Sequence, residues 1–172
     1  MVKTVISNKP KIVIDASFWI NVVYLDIESY LLKYFDIYFV QKVESEILNE
    51  SEHKIYNTRD MDVYSKLKDI RLIKIREPKN IPKKLLDNLQ YDSGELYCIA
   101  LGIEDNMIVA TDDKGPISFC KINNIPFMTS IDYILYLYNT KELTKKRCLI
   151  LFNMLNKNIS KKFIEIGKKY FK

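Results

Sequence analysis

Histidine occurs once in these 172 residues, at His53, inside the polar stretch NESEHKIYN. That scarcity removes the usual base of serine-type and cysteine-type hydrolysis, and the usual nitrogen ligands of a zinc site. The three cysteines, Cys98, Cys120 and Cys148, are widely spaced, odd in number and set among apolar neighbours. Neither a disulfide framework nor a paired-cysteine metal site is expected from them. Four glycines leave no glycine-rich loop for a nucleotide phosphate. No apolar run approaches the ~18–20 residues that span a bilayer, and the opening MVKTVISNKPKIVID carries no leader-like hydrophobic region. The expectation is a cytoplasmic protein with no membrane partner.

What the chain does have is apolar content of 48%, enough for one substantial core, and a regular alternation of elements. Lys11 to Ile14 (KIVI) reads as a buried strand running into a helix through about Tyr24, followed by a short helix from Glu28 to Tyr34. Ile37 to Val40 reads as a second strand, Gln41 to Asn49 as a helix, and Leu72 to Ile75 as a third strand. Residues 50–69 are polar, with weak helical periodicity around Tyr64 and Leu67. A proline-started helix falls within Pro78 to Leu89. Asn106 to Ala110 and Pro126 to Met128 complete the strands, with a short helix from Gly115 and Pro116 between them and a helix capped by Ser130 after them. Strands alternating with helices predict a parallel sheet covered on both faces, a three-layer α/β/α fold over residues 1–138.

Residues 139–172 read as two amphipathic helices packed on that domain, a C-terminal helical hairpin. In the first, capped by Thr140, the residues Leu143, Ile150, Leu151, Met154 and Leu155 share a face. In the second, after Ser160, Phe163, Ile164, Gly167, Tyr170 and Phe171 do, while Lys161, Lys162, Lys168, Lys169 and Lys172 point elsewhere. Charge divides at the same place. Of 27 basic and 22 acidic residues, the last 32 positions hold ten and two, so the tail is strongly basic and the rest slightly acidic. A basic end on an acid-centred domain suits a polyanion whose phosphates meet the lysines. A solvated lysine-rich helix face is the plainer explanation of the same pattern.

The acids gather where the fold would present them. The stretch from Tyr91 to Ile122 contains a helix with an apolar stripe at Leu96, Ile99, Ala100 and Ile103, opened by Asp92 as N-cap and Glu95 in its first turn. The strand after it ends at Thr111, Asp112 and Asp113. In a parallel sheet all strand carboxyl ends lie along one edge, so Asp15, Glu46 and Asp112 or Asp113 can converge there. Glu95 joins them if its helix starts near that edge. Each acid also has a structural role open to it, since Asp92-x-x-Glu95 fits a capping box and Asp15 fits a helix cap. Carboxylates so close remain ionised together only when cations neutralise them, and an all-oxygen set selects Mg²⁺ or Mn²⁺. Hydrolysis of a phosphodiester is the chemistry such a set suits.

Three pieces in order, IVIDASFWI, Val43-Glu44-Ser45-Glu46, and SGELYCIAL followed by IVATDDKG, resemble the PIN-domain ribonucleases, a family that includes VapC-like toxins. The resemblance covers about residues 10–130, and the C-terminal hairpin resembles a subgroup with extra helices there. It implies a PIN-like fold and a metal-dependent endoribonuclease, with Asp15, Glu46, Glu95 and Asp113 as catalytic carboxylates. Asp15, Glu95 and Asp113 are the metal ligands it implies most directly. Thr111 and Asp112 would support them. Glu44 competes with Glu46, and Asp112 with Asp113. The implied cofactor is Mg²⁺ or Mn²⁺, and the implied partners are RNA, a second copy of the chain and an antitoxin protein. Two other classes fit parts of the pattern: a catalytically silent module that binds RNA or protein, and a phosphate-accepting receiver domain. The receiver would need an acid pair after the first strand, where Ala16 follows Asp15.

Overall fold

A computed structural model describes residues 9–49, 59–87, 92–155 and 159–171. His53, Tyr91, Lys172 and the last residues of the proline-started helix lie outside them. Five strands, β1 (Lys11–Ile14), β2 (Asp36–Phe39), β3 (Ile73–Ile75), β4 (Ile108–Ala110) and β5 (Phe127–Met128), form one parallel sheet in the order β3-β2-β1-β4-β5. The register places Ile12 beside Ile37 and Ile108, and Val13 beside Tyr38 and Val109. Ile12, Val13 and Ile14 are fully buried, as expected of a central parallel strand covered on both faces.

The helices are α1 (Ala16–Tyr24), α2 (Ser29–Tyr34), α3 (Gln41–Ile47), α4 (Arg59–Asp69), α5 (Lys83–Leu86), α6 (Ser93–Asp105), α7 (Lys114–Ile122), α8 (Ser130–Asn139), α9 (Lys145–Met154) and α10 (Lys161–Lys169). α1 packs with α4 and α8, while α6 lies on β1 and β4 beside α5 and α7, giving the three-layer α/β/α arrangement. α3 starts directly after β2 and touches α1, α4 and α6, tying the two helical layers together beside the strand ends. None of the described helices is long and apolar enough to cross a membrane.

Two elements differ from the sequence pattern for identifiable reasons. α4 has little apolar character, yet Tyr64 is fully buried and meets Phe39 and Trp19 edge to face, at 5.0 and 6.1 Å between ring centroids. Trp19 Nε1 donates to the Asp60 carbonyl at 3.0 Å, so one aromatic anchor and one hydrogen bond dock a helix whose periodicity is faint. The fourth strand begins at Ile108, because Asn106 takes a left-handed conformation (φ 51°) and caps α6.

The C-terminal helices α9 and α10 pack on α8. Gly167 lies against Ile131 and Phe152, and Tyr138 meets Phe171 at 4.9 Å. α9 is capped by Thr144, whose hydroxyl accepts from Arg147 N–H, rather than by Thr140, whose hydroxyl turns back to the Tyr136 carbonyl at the end of α8. Ile150 and Tyr170, expected inward, are exposed, as are Ile103 of α6 and Leu48 after α3.

Gly102 in α6 faces Val109, and a Cβ there would stand 2.4 Å from Val109 Cγ2. Overpacking of a core costs ~1–3 kcal/mol, whereas alanine gains at most ~1 kcal/mol of helix propensity. Gly102→Ala is therefore expected to lower the urea midpoint; an unchanged or higher midpoint would show that this helix and strand have slack between them.

Candidate active site

The strand order reverses direction of winding between β1 and β4, and the carboxyl ends of these neighbours are where an open α/β sheet offers a crevice. Asp15 leaves β1 there. Its N–H donates to the Ala110 carbonyl at 2.9 Å, extending the pairing of β1 with β4 and setting Asp15 beside Thr111. The Asp15 side chain is only 3% exposed. Ser17 Oγ donates to Asp15 Oδ2 at 2.8 Å and Thr111 Oγ1 donates to the same oxygen at 3.1 Å. Asp15 occupies the N-cap position of α1 without making the side-chain cap bond, so its carboxylate is committed to this hydroxyl pair instead. Burial pushes its pKa up to about 8, the two hydroxyls oppose that, and the charges of Asp113 and Glu46 add to it.

Asp113 caps α7 in position but likewise makes no side-chain cap bond. Its N–H donates to Thr111 Oγ1 at 3.2 Å, so Thr111 links the Asp113 backbone to the Asp15 carboxylate. The adjacent acid goes elsewhere. Asp112 accepts from Asn21 Nδ2 at 2.7 Å and from the Ser130 N–H at 2.8 Å, and the Ser130 hydroxyl donates to it as well. Burial raises the Asp112 pKa while these donors lower it. Asp112 is thus a half-buried clamp between β4, α1 and the start of α8, and Asp113 is the member of the pair whose charge falls on Asp15. Ser130, expected as the cap of α8, is its first residue. The cap is Thr129, in a reciprocal box with Asp132.

In α3 the two competing acids face different neighbours. Glu44 is buried and paired with Lys68 of α4. Glu46, two residues on, lays its carboxylate over the first turn of α6, against Gly94. Glu95 stands next to it. The Asp92–Glu95 capping box is present: Glu95 N–H donates to Asp92 Oδ1 at 2.8 Å, and Glu95 Oε2 accepts from Asp92 N–H at 3.3 Å. Glu95 is nevertheless half-buried, with a pKa raised to about 7 by burial first, then by the charges of Asp92, Asp113 and Glu46. The helix does begin at the shared edge, and the four acids from β1, α3, α6 and β4 act on one another there.

Several acids elsewhere in the fold have cationic partners. Asp36 is matched by Lys74, Asp105 by Arg76 and Lys11, Glu28 and Asp26 by Arg59, and Glu142 by Lys33. Asp15, Glu95 and Asp113 have no Lys or Arg partner among the described residues. These donors are all oxygen, the set a hard divalent cation takes. Among the described residues, no three Asp, Glu, His or Cys side chains are gathered closely enough to hold an ion as they stand. Glu46 and Glu95 are half-buried and approach from separate helices. Cys98, whose thiol donates to the Ile14 carbonyl at 3.7 Å, is buried behind Asp15 with its pKa raised by burial, and serves as packing.

The lysines singled out on α10 stand apart from the acids in role. Lys161, Lys162 and Lys169 are exposed, and Lys168 pairs with Glu165 at 3.2 Å. Residues that sequence reasoning passed over are Ser17, Asn21 and Gly94, and Ser130 was read only as a helix cap. Ser17, two positions after Asp15 at a strand-to-helix turn, carried a readable signal; the others act through contacts distant in the chain.

Unfolded, the Asp15 and Glu95 carboxyls titrate at about 4. In the folded, metal-free state they titrate at about 8 and about 7, so the fold holds protons that the unfolded chain has released. Their contribution to stability is intact below about pH 4 and is lost progressively as pH rises to about 8. The Tm in EDTA should fall between about pH 5.5 and about pH 8.5, Asp15→Asn should flatten most of that fall, and Mn²⁺ should restore the Tm at the alkaline end. A flat profile for the unaltered protein would mean these charges are not confined.

Compared with protein-family models the chain matches none, and no match emerges among curated proteins.

Proposed function

We propose that this protein is a Mg²⁺- or Mn²⁺-dependent endoribonuclease of PIN-domain type that hydrolyses RNA phosphodiester bonds in the cytoplasm. The observation that carries the reading is the concentration of Asp15, Glu46, Glu95 and Asp113 at the β1/β4 crevice, with Asp15, Glu95 and Asp113 unmatched by Lys or Arg among the described residues. The ordered motifs around these acids support it, as does the parallel sheet. Asp15 is the fixed ligand, held by Ser17 and Thr111, and Asp113 is steadied through its backbone by Thr111. Glu46 and Glu95 would complete the ligand set from α3 and α6. A divalent ion held there would supply charge neutralisation and Lewis-acid activation for phosphodiester hydrolysis. Thr111 holds the two aspartates in register, and Asp112 anchors the loop that carries them. A toxin role, with an antitoxin protein as partner and a homodimer as the working form, follows only from the motif resemblance.

The reciprocal capping by Asp92 and Glu95 favours a second reading, a silent module in which the acids are structural and only the basic hairpin binds RNA. Incubating the protein with single-stranded and hairpin RNA, in Mn²⁺ and in EDTA, separates them. The nuclease reading expects cleavage that EDTA abolishes and that Asp15→Asn, Glu95→Gln and Asp113→Asn each reduce by roughly 100-fold or more. RNA bound without products, or products unaltered in those variants, supports the silent module instead.

The hairpin has its own test. Replacing Lys161, Lys162 and Lys169 with Gln should weaken RNA binding and flatten its dependence on salt, with the slope on single strands falling by about 0.7 for each phosphate that is no longer neutralised. An unchanged slope would remove α10 from the RNA surface.

A further inference from the structure

We infer that Gly94 is a positioning residue of the acidic site: its missing side chain is the space in which the Glu46 carboxylate reaches the other acids. This rests on the nuclease reading above. A Cβ built on Gly94 would lie 2.5 Å from Glu46 Oε1, closer than real side chains approach, and 3.1 Å from both Glu46 Cδ and Oε2. The backbone gives no other reason for glycine here. Gly94 is buried in the first turn of a regular helix, and no glycine of the described chain has a positive φ. Glycine in a helix otherwise costs stability relative to alanine.

The other two glycines with such contacts make the distinction clear. Gly102 faces Val109, and Gly167 faces Ile131 and Phe152, so both permit apolar packing between elements. Of these three, Gly94 alone faces a carboxylate. Its neighbour is Glu95, and the N-terminal turn of α6 presents backbone N–H groups that favour a negative charge nearby. Glu46 therefore reaches its place by lying across α6 at a position where the helix has no side chain.

The blocking atoms are the tip of a flexible side chain, so Gly94→Ala displaces Glu46 while leaving the fold in place. Isothermal titration with Mn²⁺ should show affinity weakened by roughly 10- to 100-fold, the range for groups that orient metal ligands, and RNA cleavage should fall with it. In the Gly94→Ala background, Glu46→Asp withdraws the carboxylate by one methylene and should restore a substantial part of the lost affinity, although Glu46→Asp alone weakens binding. A purely structural glycine would give no such rescue. Undiminished Mn²⁺ affinity in Gly94→Ala, or no rescue by Glu46→Asp, overturns the inference.

The contact can also be read without metal. In EDTA, Gly94→Ala should raise the Tm by about 2–4 °C more in a Glu46→Ala background than in the unaltered protein, because the helix gain is then free of the collision. Additive shifts overturn the contact itself. Absent Mn²⁺ binding by the unaltered protein, together with non-additive shifts, instead removes the nuclease reading and leaves the steric relation standing.

Discussion

A carboxylate confined at the end of the central strand, with two hydroxyls on one of its oxygens and no cationic side chain beside it, sets the terms for the rest of this molecule. β1 is buried on both faces, so whatever follows Ile14 emerges in the middle of the carboxyl edge, between the two directions of winding. Placing Asp15 there costs desolvation, and Ser17 and Thr111 offset part of that cost without removing the charge. Thr111 can do so because β4 is β1's neighbour, and it is this pairing that delivers Asp113 to the same place. The site is thus a consequence of strand order, and among the described residues no Lys or Arg side chain pairs with Asp15, Glu95 or Asp113.

The doubled acids show how a fold assigns different work to adjacent residues. Along a strand end successive side chains diverge, so Asp112 and Asp113 cannot serve one purpose. Asp112 turns to Asn21 and Ser130 and holds the loop against α1 and α8, while Asp113 keeps its charge toward Asp15. In α3 the two-residue interval between Glu44 and Glu46 separates them by more than half a turn. One consequently meets Lys68 in the α4 layer and the other crosses to α6. Neither choice was available from residue type, because both pairs are chemically uniform.

Much of the architecture was legible in the chain. KIVI, LIKI and the run through Ala110 are continuous apolar segments too short for helices, and the helical stripes between them fix the alternation from which a parallel sheet follows. Helix ends were less legible, since Thr140 against Thr144 and Ser130 against Thr129 differ only in which hydroxyl meets an N–H group. α4 was faint because Tyr64 is its only fully buried apolar side chain, with Val63 and Leu67 only partly buried among polar neighbours. The convergence of acids could be argued from strand ends, but the position of Glu95 depended on where α6 starts, which the Asp92 capping box settles geometrically. That box had been the plain alternative to a functional Glu95, and the two roles are compatible: one carboxylate oxygen closes the helix end while the group's charge lies on the crevice.

Compatibility of this kind bears on stability and function together. Every acid at the edge is held by contacts that a folded protein needs anyway, through a hydroxyl pair, a backbone N–H, a helix cap or the absence of a side chain at Gly94. Yet burial first, and the charges of neighbouring acids after it, raise the proton affinity of Asp15 and Glu95, so the same contacts hold groups that still carry protons near neutral pH. Protonation relieves the repulsion among them only by discharging the groups. A divalent cation, if bound as proposed, would relieve it while keeping them ionised, and binding to the folded state alone would stabilise the fold by mass action. The hydrogen bonds of Asp112 to Asn21 and Ser130 tie the loop that carries Asp113 to α1 and the start of α8, so the position of Asp113 beside Thr111 is set by contacts independent of its own charge.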